Sequence, residues 1–438
     1  MNKIITILSY RFYVGEFLIL FLTFFLMEGI FSWIFIRNSL IIEGHQKLLG
    51  ILIYGFMLYK FGDLKKSERI IITVFSLLML RLVLESLVKY NSFFKQLTMF
   101  TVMFPIVYIV FIKYIMRKMD VDLLEFLAKF YLITYLVFMA LFGRGFSFSL
   151  EMVEMGDYGP FSGDVRIIHA SHIFMMIIPL LWYLNQLLDT KKRKYILPLV
   201  ICFGLIIVHQ HRSVWSSTCV ALFFYFISSI RNKIQNLSRI ANLTIAAFIA
   251  VLVVCFFIAN LMPGFIGFLS ERFSEIFNPA KEGSTGNFRI EQREVYFQYF
   301  LDRPIFGWTF EGFEMPNPLV DWWPENSGQH FHEGYMEMLF YHGIVGLVFK
   351  YGFLVYLLFK AFSKNLSRES VILIAFCCSG LLFSFNYVLP LIFWGVVGMC
   401  MFYIEKDNDK LLDGNLNVYE KSAEEFAYLN NSKTIGQV

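Results

Sequence analysis

The chain has 438 residues and a formal net charge of +4, and 57% of its residues are hydrophobic whereas only 16% are charged. A soluble domain carries about 25% charged residues, and here the deficit extends along the whole chain. The composition therefore excludes a soluble protein, or a soluble domain with one anchor, and predicts an all-α, polytopic membrane bundle. The net charge is small, and no nucleic-acid partner is expected.

The first apolar run, residues 12–36, is too long for the hydrophobic region of a signal peptide and lacks a small-residue cleavage site. It is interpreted as the first membrane span. A span needs about 20 mostly apolar residues. By this criterion the whole chain contains about twelve predicted spans, including the first. The predicted spans are 12–36, 40–59, 70–88, 96–115, 121–142, 167–188, 195–209, 213–230, 240–262, 334–359, 370–386 and 388–404.

Basic residues in the short connections orient these spans. Cytoplasmic connections carry an excess of Lys and Arg, and one set of alternate connections holds 17 basic residues against 7 in the other. This set, predicted to be cytoplasmic, comprises Lys60, Lys65, Lys66, Arg69, Lys113, Arg117, Lys118, Lys191, Lys192, Arg193, Lys194, Arg231, Lys233, Arg239, Lys360, Lys364 and Arg368. Both termini are then cytoplasmic. We expect residues 1–404 to form one transmembrane domain and residues 405–438 a polar cytoplasmic tail.

The outer half has its own residue preferences. All eight histidines fall there, and its basic residues favour Arg over Lys. Arg recognises phosphate with planar, bidentate geometry and His titrates near neutral pH. The pattern indicates a phosphorylated ligand and proton transfer, although chance among few residues would produce it too. Inside the third span, Arg81 and Glu85 are four residues apart and are expected to pair, while intramembrane charges are functional candidates by default.

Residues 263–333 form the longest non-membrane segment, predicted to lie on the outer face. A loop of this length is expected to fold and to function. Apolar spacing over Phe265–Phe277 predicts an interfacial amphipathic helix. A second helix is predicted over Phe288–Leu301, ended by Pro304.

Arg289 and Arg293 are four residues apart on the second helix and share a face. Two guanidinium groups so placed can clamp a diphosphate. The alternative is an ordinary helix with Glu–Arg pairs. Aromatic, carboxylate and imidazole side chains in 321–332 are common in sugar sites, and Trp is equally expected at a membrane interface.

A metal site is the less favoured interpretation of the paired histidines. His-x-His shares a face only in an extended segment, and no cysteine or clustered carboxylate completes a ligand set. No metal and no cofactor is therefore expected. The pairs are His169/His172, His209/His211 and His330/His332.

The segment from Gly283 to Phe349 resembles the conserved domain of the O-antigen ligase and O-antigen polymerase family of bacterial surface-polysaccharide enzymes. The motifs that carry the resemblance are Arg289; Asp302-Arg303-Pro304-Ile305-Phe306-Gly307; His332-Glu333-Gly334-Tyr335-Met336; Gly343-Ile344-Val345-Gly346-Leu347; and, upstream, His211-Arg212-Ser213. Two positions depart from the family pattern: Glu333 stands where Asn is usual, and Arg293 where Trp is frequent.

The resemblance implies a C-type glycosyltransferase fold in the bacterial inner membrane. It also implies transfer of a glycan from a polyprenyl-diphosphate carrier to a hydroxyl of another glycan or of a lipid A core, with inversion at the anomeric carbon. Arginines can stabilise the diphosphate leaving group without a metal. The candidates are Arg212 and Arg289, followed by Arg166, Arg293 and Arg303.

The acceptor hydroxyl needs a general base within hydrogen-bond reach. His332 fits by residue type, side and motif, His330 is the alternative base, and Glu325 or Glu333 is suited to orient the imidazole. Polymerase is slightly favoured over ligase. A lipid-linked oligosaccharide flippase or other transporter would instead spread polar residues and internal repeats through the spans, and a sensor or structural protein would not require the outer Arg and His pattern.

Overall fold

The computed structural model describes residues 4–7, 10–13, 27–36, 39–119, 123–142, 168–209, 211–261, 285–319, 328–329 and 331–411, with four isolated positions between 267 and 278. The predicted amphipathic helix at 265–277 therefore lies largely outside the described residues. Arg166, Glu325 and His330 also lie outside them.

Most of the first predicted span, 12–36, lies outside the described residues, which resume at residue 27. Its first two positions belong to a strand and not to a helix, whereas its last residues are helical as predicted. Strands β1 (Ile4–Ile7) and β2 (Tyr10–Tyr13) form an antiparallel hairpin, because β-branched and aromatic residues favour paired strands. The next described helix, α1 (Gly29–Phe35), begins only after Glu28, whose carboxylate caps it by accepting from the Ile30 N–H (3.2 Å). Glu28 also accepts from the Tyr131 hydroxyl (2.9 Å), which gives this buried acid two partners.

Otherwise the described structure is helical. The remaining helices are α2 (Ser39–Tyr59), α3 (Lys66–Tyr90), α4 (Leu97–Met103), α5 (Pro105–Met119), α6 (Leu124–Phe142), α7 (Ala170–Met175), α8 (Ile177–Thr190), α9 (Ile196–Val208), α10 (Arg212–Arg231), α11 (Leu237–Leu261), α12 (Thr285–Asp302), α13 (Thr309–Glu314), α14 (Gly334–Lys360), α15 (Arg368–Phe383) and α16 (residues 391–411). Short 3₁₀ turns at Phe61–Asp63 and Arg193–Tyr195 precede α3 and α9.

Within the described residues, five helices are long and apolar enough to cross a membrane: α3, α6, the α7–α8 pair, α10 and α14. A sixth candidate is the bent pair α4–α5, whose axes meet at 53°. Pro105 opens the second of these helices and lacks an N–H, so the ladder breaks there. The coarse prediction of a helical membrane protein is confirmed. Among the described residues, length and composition give five candidate spans, or six with the bent pair, and this test includes α14 although its backbone breaks at Gly343. The total of about twelve spans stays a prediction.

One end of the bundle, here called the basic end, gathers the connections that the sequence predicts to be cytoplasmic. Lys65 and Lys113 both pair with Glu405. Burial alone would raise the pKa of Glu405, but the hydrogen bonds and positive charges of these two lysines together lower it below its usual value. Other links at this end are Arg117 to Glu68, Arg368 to Asp189, Ser367 to Asp407 and Asn232 to Leu366. These contacts extend α16 to residue 411, beyond the predicted end of the last span at 404.

The core packs α10 antiparallel against α15. The N–H of Leu366, two residues before α15, donates to the side-chain oxygen of Asn232, which follows the last residue of α10 (2.8 Å). The N-terminus of α10 therefore lies level with the C-terminus of α15. Phe174 of α7 stacks on Phe383 at that level, with ring centroids 4.3 Å apart. Arg212 and the segment after Phe383 are thereby placed at the end of the bundle opposite the basic end.

The helix α14 folds back on itself. Its backbone breaks at Gly343 (φ +60°, ψ −161°). A continuous helix would separate residues 335 and 351 by about 24 Å, yet the rings of Tyr335 and Tyr351 have centroids only 4.5 Å apart. The two arms, 334–342 and 344–360, are therefore antiparallel, and we call them the re-entrant hairpin. The sequence predicts one span over 334–359 and gives no sign of this reversal.

Candidate functional site

The predicted helix over 288–301 is confirmed as α12, and the re-entrant hairpin positions the histidine motif against it. Two of the motifs noted in the sequence meet at the turn of the hairpin. The N–H of Ile344 donates to the carbonyl of Pro304 (2.9 Å), and that of Trp308 to the carbonyl of Phe340 (2.8 Å). A side chain at Gly343 would collide with the carbonyl of Ile305, so this contact requires glycine.

The first arm of the hairpin starts beside α12. The N–H of His332 donates to the side-chain oxygen of Gln292 (3.1 Å), and the His332 ring lies edge-on to Phe288, with centroids 5.7 Å apart. Gln292 is itself buried. Because residues 288 and 292 are one helical turn apart, the imidazole is held against one face of α12.

Glu333, the next residue, is buried (3% exposed) and caps the first arm in an extended conformation. Its two carboxylate oxygens accept hydrogen bonds from Nε and an NH₂ nitrogen of Arg293. These bonds raise the pKa of the Arg293 guanidinium, outweighing burial. Arg293 is thus engaged by the protein itself, and the ion pair joins the two positions that depart from the family pattern.

Arg289 is placed differently. Its guanidinium carbon lies 5.1 Å from the centroid of the Tyr387 ring, and its Nε is buried without a hydrogen-bond partner among the described residues. Leaving a buried charged donor unsatisfied is costly. An orphaned N–H beside an aromatic ring and the imidazole-bearing segment is therefore suited to an anionic group of a ligand.

The segment after α15 completes the site. The N–H of Gly334 donates to the carbonyl of Ser384 (2.9 Å), and the Tyr335 hydroxyl to that of Leu381 (2.6 Å). These bonds bring Tyr387 close to the first arm. Arg212, at the N-terminus of α10, lies at the same end of the bundle because α10 and α15 are antiparallel.

The structure brings together Arg289, Arg293, His332 and Glu333, and it places Arg303 elsewhere. Arg303 lies near the other end of α12, fourteen residues and thus about 21 Å along the helix from Arg289. There it pairs with Glu311. Burial alone would raise the pKa of Glu311, but hydrogen bonds from Lys89 and Arg303 lower it. The sequence did not predict three further residues of the site, which are Phe288, Gln292 and Tyr387. For Tyr387 alone there was a sign, because the predicted spans 370–386 and 388–404 meet at this residue.

The predicted pairing of Arg81 with Glu85 is confirmed at 3.3 Å. Over the described ranges, no three His, Cys, Asp or Glu side chains cluster so as to hold a metal ion. The buried His209 shares a short hydrogen bond with the Tyr135 hydroxyl (2.5 Å).

A family model described as O-Antigen ligase matches residues 197–351, from the start of α9 to the second arm of the re-entrant hairpin. A search of curated proteins found no match. The family match covers Arg212, Arg289, Arg293, His332 and Glu333 and both motifs that meet at Gly343, whereas Tyr387 lies beyond it. It confirms the resemblance predicted from the sequence and supports assignment of the chain to the O-antigen ligase and polymerase family, whose members are membrane enzymes of surface-polysaccharide assembly.

Proposed function

We propose that this chain is an inverting, metal-independent glycosyltransferase of the O-antigen ligase and polymerase family. It transfers a glycan from a polyprenyl-diphosphate carrier to an acceptor hydroxyl. The observation that carries the proposal is the buried Nε of Arg289, which has no hydrogen-bond partner in the part of the chain that the structure describes. It lies beside Tyr387 and close to the helical face that holds His332. This arrangement offers a donor for a departing diphosphate and a base for an incoming hydroxyl in one place.

The donor diphosphate is bound by Arg289, with Arg212 approaching from the N-terminus of α10. As the bond between the anomeric carbon and the diphosphate oxygen breaks, negative charge grows on the leaving oxygens, and charge-assisted bonds to guanidinium strengthen. The guanidinium of Arg289 lies against the ring of Tyr387 and its Nε is buried. The side chain therefore needs little rearrangement when charge develops on the leaving group. Positive charge supplied by arginine takes the part that a metal ion plays in other transferases.

His332 accepts the proton of the acceptor hydroxyl. The hydroxyl oxygen attacks the anomeric carbon from the side opposite the departing diphosphate, and this inverts the configuration at that carbon. The Arg293–Glu333 pair acts indirectly: it fixes the start of the first arm against α12 and so sets the position of His332. We include Arg166 and His330 in the proposal on the sequence alone, as a further diphosphate ligand and an alternative base.

The site faces the outer side of the inner membrane in a protein of about twelve spans, with both termini in the cytoplasm. The support is the distribution of charge. The connections rich in Lys and Arg meet at the basic end, and the candidate site lies at the other end. Such segregation is what the positive-inside rule expects of a protein in this orientation.

Polymerase is slightly favoured over ligase. The test is reconstitution of the purified protein with a polyprenyl-diphosphate oligosaccharide, with and without a lipid A core acceptor. A ladder of lengthening products without the core establishes the polymerase; a single transfer that needs the core establishes the ligase. Absence of transfer in both, with movement of the oligosaccharide across the bilayer, would replace the enzyme by the flippase alternative. The proposal also requires product formation to persist in EDTA.

A further inference from the structure

A groove runs along α3 at the end of the bundle opposite the basic end. Its volume is about 790 Å³. One wall is an apolar stripe of α3, and the segment 303–307 overhangs it. The wall residues Leu77, Leu80, Leu84 and Val88 are all exposed, and an exposed apolar stripe on a membrane helix faces lipid chains. The stripe is about 17 Å long, since residues 77 and 88 are eleven helical steps apart.

Charged residues gather at the overhang. Arg81 lies on the same face of α3 as Leu77 and Leu84, and its guanidinium carbon is 4.2 Å from the centroid of the Phe306 ring. Lys89 bonds both Glu85 (3.0 Å) and Glu311 (2.5 Å). With Arg303, the group holds three cations and two carboxylates.

The cations are the accessible part of this group. The side chains of Arg81, Lys89 and Arg303 are 36%, 36% and 39% exposed, whereas those of Glu85 and Glu311 are 13% and 27% exposed. A guanidinium has five N–H donors and the carboxylates use only some of them. The groove therefore presents cationic donors beside an apolar wall that continues past them to Leu77, which matches a lipid with a phosphate-bearing head.

This groove is separate from the site at Arg289. Arg303 follows the last residue of α12 and is about 21 Å along the helix direction from Arg289. The overhang is joined to the site by α12 and by its backbone bonds to the hairpin turn at Gly343. Transfer between two lipid-linked glycans needs two lipid sites, because both carriers remain in the membrane while their glycans meet.

We propose that the groove between α3 and residues 303–307 binds the polyprenyl-diphosphate carrier of the acceptor glycan. Arg81, Lys89 and Arg303 contact the diphosphate, and the polyprenyl chain lies along Leu77, Leu80 and Leu84. This inference rests on the proposed function in its polymerase form, which supplies the need for a second lipid-linked substrate. It assigns to Arg303 a role in acceptor binding rather than at the leaving group.

The test counts bound lipids on the purified, delipidated full chain by native mass spectrometry, with undecaprenyl diphosphate as the probe. Wild type is expected to bind two molecules. The double variant Lys89→Gln/Arg303→Gln is expected to bind one, with affinity at the groove reduced about tenfold or more, because charged hydrogen bonds to phosphate are lost. Leu80→Trp, which fills the groove without changing charge, is expected to weaken the same binding event.

The control is Lys95→Gln. Lys95 pairs with Glu314 (3.1 Å) and ties α13 to the same end of the bundle, outside the groove. If it reduces binding as much as the double variant, the charged group only holds the loop in place and the proposal fails. Unchanged binding in both groove variants, or equal binding of phosphatidylglycerol or lipid A at the groove, also overturns it.

Arg289→Ala separates this inference from the proposed function. If the donor site at Arg289 and the acceptor groove are both correct, Arg289→Ala leaves one bound lipid. Combining Arg289→Ala with Lys89→Gln/Arg303→Gln then leaves none. If Arg289 is not a diphosphate site, wild type binds a single lipid and Arg289→Ala has no effect. The groove variants then still abolish that binding, and the groove stands alone.

Discussion

Arg293 and Glu333 form an ion pair beside His332, and each supplies the charge that the other needs. Each departs from the family pattern, and the structure joins them in a two-bonded ion pair. Glu333 is buried, so its charge is tolerable only with such a partner. The two departures therefore belong together, and neither alone indicates a change in the reaction.

The pair is predicted to show strong coupling in a double-mutant cycle. Glu333→Ala removes the partner of a half-exposed guanidinium, and Arg293→Ala strands a buried carboxylate, which is costlier and should destabilise the fold by about 3 kcal/mol. The double variant should cost less than the sum, with a coupling energy of about 1–3 kcal/mol. Thermal unfolding of the purified protein in detergent measures this. Additive losses would contradict the assigned ion pair.

Arg289 is predicted to matter for catalysis rather than for stability. Its Nε has no hydrogen-bond partner among the described residues, and its contact with the Tyr387 ring is expected to contribute only about 0.5–1 kcal/mol. Arg289→Ala should therefore leave the melting temperature close to that of wild type. Removing one donor to a developing anion costs about 100-fold to 1,000-fold in kcat. Arg289→Lys should recover only part of this, because an ammonium lacks the bidentate geometry.

The measurement is the rate of glycan transfer in reconstituted vesicles, with Lys95→Gln as the matched control for loss of an outer-end cation. Lys95 is exposed and pairs only with Glu314 among the ion pairs described, so its substitution should change kcat by less than twofold, since exposed ion pairs contribute about 0–1 kcal/mol. Equal loss in both variants would show that overall charge, and not Arg289, is responsible.

At the scale of elements, the reversal of α14 positions the site. The hairpin turn is held by backbone bonds from Ile344 and Val345 to the carbonyls of Pro304 and Ile305. The loop after α12 therefore touches the hairpin at its turn, while the start of α12 touches the hairpin at its origin, at His332. The first arm is therefore held at both of its ends by α12 and the loop that follows it. A displacement of either contact would move the imidazole of His332.

Gly343→Ala is predicted to disturb this arrangement, and Gly352→Ala serves as the matched control. At Gly343 a side chain would occupy a positive-φ position and collide with Ile305 and Phe306, whereas at Gly352, on the second arm, nothing lies within 4 Å. Gly343→Ala should destabilise the protein by about 1–3 kcal/mol and lower transfer activity. Gly352→Ala should stabilise it by about 0.5–1 kcal/mol. Similar melting temperatures for the two variants would contradict the turn.

At the scale of the whole molecule, the sequence predicts the features that depend on average composition and local spacing. Lipid imposes apolar runs, and the placement of Lys and Arg orients them. A helical membrane protein, with Lys65, Lys113 and Arg368 grouped at one end, is therefore predictable from the sequence. The helix that carries Arg289 is also predictable, because Pro304 indicates where it ends. The pairing of Arg81 with Glu85 is predictable from helical spacing.

The features that the sequence does not reveal depend on contacts between distant segments. The reversal at Gly343 arises where the hairpin meets residues 304–306, and a glycine in an apolar run gives no local sign of it. Likewise, the pairing of Arg293 with Glu333 joins residues 40 positions apart. Arg303 shares a motif with the site, yet the length of α12 carries it to another place. Motif membership identified the domain correctly, but it does not indicate how far apart in space Arg289 and Arg303 lie.

The proposed orientation predicts which ends of the bundle are reachable from each side of the membrane. Asn91 follows α3 at the end opposite the basic end, and Lys364 lies between α14 and α15 at the basic end; both are exposed. Introduced singly into a variant lacking the native cysteines, Asn91→Cys should react with a membrane-impermeant maleimide in intact spheroplasts. Lys364→Cys should react only after lysis, because a charged reagent does not cross the hydrocarbon core. Labelling of Lys364→Cys from outside would reverse the orientation and place Arg289 and His332 on the cytoplasmic side, where a donor carried on the outer leaflet cannot reach them.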